Sequence, residues 1–157
     1  MWEQAIARTI LTLRLALLAI AGGIIVFGIV AGVLVSAEVV PAQPRLGSSL
    51  LPALLIVAVL MIVAFLLVRQ GIRTALTRTQ PGGRTPELLL ARFRTLNIVG
   101  SALAEVPAMF GIVVFLLTRQ WVALLAPALS LGALALLFPS PDKYARFAED
   151  VAGSRDI

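Results

Sequence analysis

The chain has 157 residues, of which 60% are hydrophobic, with a mean hydropathy of +1.02 and a net charge of +5. This composition is far more apolar than that of a soluble domain, and at this length it fits one compact membrane domain with no room for a second folded unit. The absence of cysteine and histidine excludes a disulfide framework, thiol chemistry and the commonest metal ligand and general base.

Residues 1–14 place Trp2, Ile6, Ile10 and Leu13 on one helical side and Glu3, Gln4, Arg8 and Arg14 elsewhere. That pattern is an amphipathic lead-in at the interface, or a helix end whose arginines snorkel. Residues 15–35 carry no charge and are long enough to span the hydrocarbon core. Within them Gly28 and Gly32 form a GxxxG pair at which another helix can pack closely. Val35-Ser36-Ala37 resembles a signal cleavage site, but the apolar region is too long for a signal core, which predicts an uncleaved helix. Pro41, Pro44 and Gly47 then mark a polar loop.

Residues 50–68 form the second predicted span, with Pro52 in its first turn, where proline is tolerated. The stretch 69–94 follows as a basic loop, with Arg69, Arg73, Arg78, Arg84, Arg92 and Arg94 against Glu87 alone. Gln80-Pro81-Gly82-Gly83 is a turn signal, and Pro86 to Arg94 is a short helix leading into the next span. The basic residues also suit anionic lipid headgroups or a topology signal.

The third span, residues 95–117, contains one ionisable side chain, Glu105, close to its midpoint. A charge at the bilayer centre costs about 2.5 to 3.5 kcal/mol on the lenient insertion scale, so Glu105 calls for a partner, a proton or a function. Ser101, one turn earlier, is placed to hydrogen-bond it. Pro107 lacks an N–H, which frees the Leu103 carbonyl and predicts a kink beside the acid. Gly100, Ala104, Ala108 and Gly111 form a small-residue strip for helix packing.

Residues 118–120 make a tight turn into the fourth predicted span, 121–138. Trp121 suits an interface, Ala128 and Gly132 form another small-xxx-small pair, and Pro127 predicts a second kink. The tail 139–157 mixes signs and is expected to be a short surface helix with a frayed end. An even number of spans puts both termini and the 69–94 stretch on one side, leaving only Arg45 and Arg119 on the other. The positive-inside rule makes the richer side cytoplasmic. The expectation is therefore an all-α, multi-pass four-helix bundle of the inner membrane.

Thr79-Gln80-Pro81, followed by Gly100-Ser101-Ala102-Leu103-Ala104-Glu105 and then Phe110-Gly111, resembles the hairpin of the ATP synthase rotor-ring c subunit, the proteolipid. The resemblance covers about residues 78–117, and the whole chain looks like a small four-helix bacterial membrane protein. It implies that Glu105 is a proton- or cation-binding carboxyl group. The chain differs from that family in having two further hydrophobic segments and no glycine in residues 50–68.

No P-loop, dinucleotide fingerprint, nucleophile elbow or metal-ligand spacing is present, and no second intramembrane acid could share a catalytic task with Glu105. The expectation is a protein without enzymatic chemistry, cofactor or metal. Its partners are the lipid bilayer and either another membrane protein or further copies of itself. Nucleic acid is not expected, since no basic face is interleaved with stacking aromatics. Two readings stay open: ion handling at Glu105 with Ser101, and an accessory subunit packed into a larger membrane complex.

Overall fold

The computed structural model describes residues 2–78 and 85–153. The chain is helical almost throughout and contains no strand among the described residues. Helix α1 spans Trp2–Ser36, α2 Gly47–Arg78, α3 Pro86–Thr118, α4 Leu125–Leu137 and α5 Pro141–Gly153, with short 3-10 turns at Pro44–Leu46 and Trp121–Leu124. Helices α1, α2 and α3 are long and apolar enough to cross a membrane.

The helices outrun their hydrophobic spans. The 32 residues of α2 extend about 48 Å, well beyond the roughly 30 Å hydrocarbon core. Most of the basic stretch is accordingly helical rather than loop: α2 continues to Arg78 and α3 begins at Pro86, running without a break into the apolar segment. Charge does not end a helix, because arginine, glutamine, leucine and alanine all favour it and the backbone bonds remain internal. The start of α3 has a defined cap. Thr85 is extended (φ −71°, ψ 151°) and its hydroxyl oxygen accepts from the Leu88 N–H at 3.3 Å, with Pro86 and Glu87 opening the first turn. The turn residues Gln80 to Gly83 lie outside the described residues, as does Thr79.

Helix α3 is the centre of the molecule. Of its most apolar window 44% is buried, against 11% for α1 and 6% for α2. Helices α1, α2 and α4 all pack on it. The core consists of Leu17, Ile24 and Ala31 from α1, Leu54 from α2, Ala108, Ile112, Val114 and Phe115 from α3, Ala123 from the 3-10 turn before α4, and Leu134 from α4. The remaining faces of α1 and α2 expose leucine, isoleucine and valine along their length, a surface suited to lipid rather than water.

Two staples fix the ends. At one, Arg14 Nε donates to the Pro139 carbonyl at 3.0 Å, and its guanidinium lies 5.6 Å from the Phe138 ring centroid. There the chain bends by 73° from the Trp121–Leu137 segment into the one beginning at Pro141. Phe147 of α5 packs on Ile72, as do Leu88 and Leu96, and Tyr144 meets Phe93 edge to face at 5.5 Å. The expected surface helix in the tail is α5; residues 154–157 lie outside the described residues. At the other end Arg119 Nη2 donates to the Val40 carbonyl at 3.1 Å, and Gln43 N–H to the Leu117 carbonyl at 2.9 Å. These bonds tie the α3–α4 turn to the α1–α2 loop.

The fourth apolar segment departs from a single regular helix. Trp121–Leu124 is a 3-10 turn and α4 begins only at Leu125, so Pro127 falls in the first turn of α4. There its missing N–H has no ladder bond to lose.

Candidate functional site

The polar side chains of the apolar part of α3 fall into two groups. Asn97, Ser101 and Thr118 are buried and each closes on its own helix: Asn97 Nδ2 donates to the Phe93 carbonyl at 2.9 Å, Ser101 Oγ to Ile98 at 2.9 Å and Thr118 Oγ1 to Val114 at 2.7 Å. Such bonds remove the cost of a polar group in an apolar setting. Glu105 is half-buried and makes no hydrogen bond or ion pair among the described residues. The Ser101 hydroxyl, which the spacing aims at Glu105, gives its proton to Ile98 instead, leaving only acceptor lone pairs towards the acid.

The position of Glu105 around α3 follows from 100° per residue. Ile112, two turns further on and almost in line with it, is buried against α1, where its Cδ1 lies 3.9 Å from the place a Cβ on Gly28 would take. Ile98, Ala102 and Val106, on the other flank, are exposed. Glu105 therefore sits at the edge of the α1–α3 seam, between packed core and open apolar surface. The arginines nearest in sequence, Arg94 and Arg119, are each about a half-length of the span away, too far for an ion pair within the chain.

Pro107 is buried inside α3, which remains helical through it, so the Leu103 carbonyl lacks its ladder donor. The small residues divide by partner. A Cβ on Gly111 would come within 2.7 Å of the Ala123 carbonyl oxygen, and one on Gly100 within 2.9 Å of Phe65 Cε2, while Ala108 is fully buried. Gly100, Ala108 and Gly111 thus serve packing within the chain. Ala104 is half-buried. Gly28 makes ordinary contact with α3, whereas the Cβ positions of Gly32 and Gly132 are open and Ala128 is exposed.

No group of three or more acidic residues that could hold a metal occurs among the described residues. Sequence reasoning did not single out the α2 wall of the space beside α3, formed by Ala58 and Phe65, since these residues differ from their neighbours only in size. Ser130 of α4 is buried, lines the same space and has no hydrogen bond among the described residues. No protein-family model, curated protein or solved structure matches the chain.

Proposed function

We propose that this chain is a multi-pass inner-membrane protein, a four-helix bundle with both termini cytoplasmic, in which Glu105 takes up and releases a proton or small cation. In this reading Trp121–Leu137 is the fourth span, reaching about 28 Å through one 3-10 turn and α4. The observation that carries the proposal is the contrast on α3: every other polar side chain in its buried stretch is satisfied by its own helix, and Glu105 is not. An unpaired acid beside an open apolar surface is accessible to an exchanging proton or to a partner helix bearing a cation. The resemblance of residues 78–117 to the rotor-ring c subunit supports the same role. No enzymatic chemistry, cofactor or metal is proposed.

A hydrophobic carbodiimide tests this on purified protein in lipid, with Glu105→Gln as the blank. Labelling confined to Glu105 that declines as pH rises, or that sodium protects against, is the expected result. Absence of labelling at every pH would remove the ion-handling role. A second reading, an accessory subunit of a larger membrane complex or a homo-oligomer, is favoured by the outward strip of Ala128 and Gly132, which no helix among the described residues covers.

A further inference from the structure

Helices α2, α3 and α4 line a half-open cavity of about 350 Å³, within the size range of small-ligand sites. Small residues on all three helices leave room for it, among them Ala58 of α2, Gly100 and Ala104 of α3 and Ala133 of α4, between larger apolar side chains such as Met61 and Leu103. The three helices nevertheless close tightly at one level. At Gly100 the side chains of Phe65 and Leu137 would stand 2.9 and 3.2 Å from a Cβ. The space beside Ala104 thus lies next to a well-packed contact. Its mouth lies between α2 and α4, where the lining residues Ile62, Leu129 and Leu136 are 61%, 74% and 80% exposed. A ligand entering there comes from the apolar surroundings of the helices and need be apolar only over the part that enters.

No charged residue among those described lines the cavity, but cationic groups stand just beyond one end of it. Lys143 Nζ donates to the carbonyl of Leu136, a lining residue, at 2.7 Å and to that of Phe138 at 2.8 Å. An ammonium group has three donors, so one remains for a ligand. Lys143 has no ion pair among the described residues. Arg69 stands one turn beyond Phe65 on α2 and is exposed. An apolar slot open to the bilayer and ending in cationic groups matches a molecule with a long apolar chain and an anionic head.

We infer that this cavity holds one acyl chain of an anionic glycerophospholipid, whose phosphate rests on Lys143 and Arg69. The bilayer supplies the chain, and the basic end selects the headgroup. The site lies about 100° to 160° around α3 from Glu105, as the positions of Ala104, Gly100 and Pro107 require. It is therefore separate from the carboxyl group.

Native mass spectrometry of the full chain in dodecyl maltoside, titrated with phosphatidylglycerol or with phosphatidylcholine of the same chains, tests the assignment. The first phosphatidylglycerol is expected to bind about fivefold or more tighter than phosphatidylcholine, the effect of a basic residue near an anionic head. Lys143→Gln, at an exposed position, should bring the two lipids close to parity, and Arg69→Gln should narrow the gap. Ala58→Leu and Ala133→Leu, which fill the cavity from opposite walls, should weaken both lipids by about tenfold or more through lost methylene burial. Equal binding of the two lipids by the native chain, or an undiminished preference in Lys143→Gln, would overturn the proposal even if the cavity-filling variants failed to fold. Native-like binding by both folded leucine variants would also overturn it.

Discussion

A carboxyl group without a bonding partner leaves a thermodynamic trace. Glu105 stands beside exposed Ile98 and Val106 with no bond of its own among the described residues, so a leucine in its place would exchange an expensive polar group for an apolar one. Glu105→Leu is expected to stabilise the fold by about 2 kcal/mol, read from denaturant unfolding in detergent micelles. A loss of stability would show instead that Glu105 holds the helices together. Arg119 carries the opposite kind of information. It adopts a left-handed backbone (φ 56°) at the end of α3 and still reaches the Val40 carbonyl. Replacement by glycine or by alanine removes that bond equally, but only glycine relieves the backbone. Arg119→Ala should therefore be the less stable of the two by about 1 kcal/mol. The ion pair to Glu38, at 3.9 Å with a largely exposed partner, contributes little to either.

At the scale of the helices, close approach depends on which atoms would resist an added methyl group. At Gly111 the nearest is a backbone oxygen, Ala123 O at 2.7 Å, with Ala126 Cβ at 2.9 Å. At Gly100 the obstacles are the ends of Phe65 and Leu137, which can turn aside, and at Gly28 there is only ordinary contact at 3.9 Å. Melting curves of the three alanine variants should rank accordingly: Gly111→Ala destabilises by about 2 kcal/mol, Gly100→Ala by less, and Gly28→Ala is neutral or stabilising. The same contrast explains what was legible in the sequence. The apolar cores of α1, α2 and α3 and the isolation of Glu105 follow from hydropathy and charge along the chain. The start of α3 follows as well, from the helix that Pro86 to Arg94 predict, but the end of α2 does not, because Arg69 to Arg78 keep the helical backbone pattern after the apolar pattern has stopped. Nor does the partner of each glycine, which depends on the rotation of α3 against α2 and α4. Pro127 reads as a kink only if the helix is assumed to begin at Trp121.

For the molecule as a whole, orientation rests on the distribution of arginine, and the absence of cysteine makes it simple to test. Cysteines introduced at Val39, in the exposed α1–α2 connection, and at Thr85, the exposed cap of α3, lie at opposite ends of the spans. A membrane-impermeant maleimide applied to intact cells is expected to label Val39→Cys and spare Thr85→Cys, and the reverse would invert the proposed topology. The cavity between α2, α3 and α4 is also a property of this scale. It requires small residues from three separated segments to meet, so no local pattern announced it. The central place of α3 carries a consequence for biogenesis. Helices α1 and α2 pack on α3 rather than on one another, and both are synthesised before it. Until α3 arrives, α1 and α2 lack the helix on which both pack. Once α3 is made, both can draw together around it, and α4 and α5 can close on it afterwards.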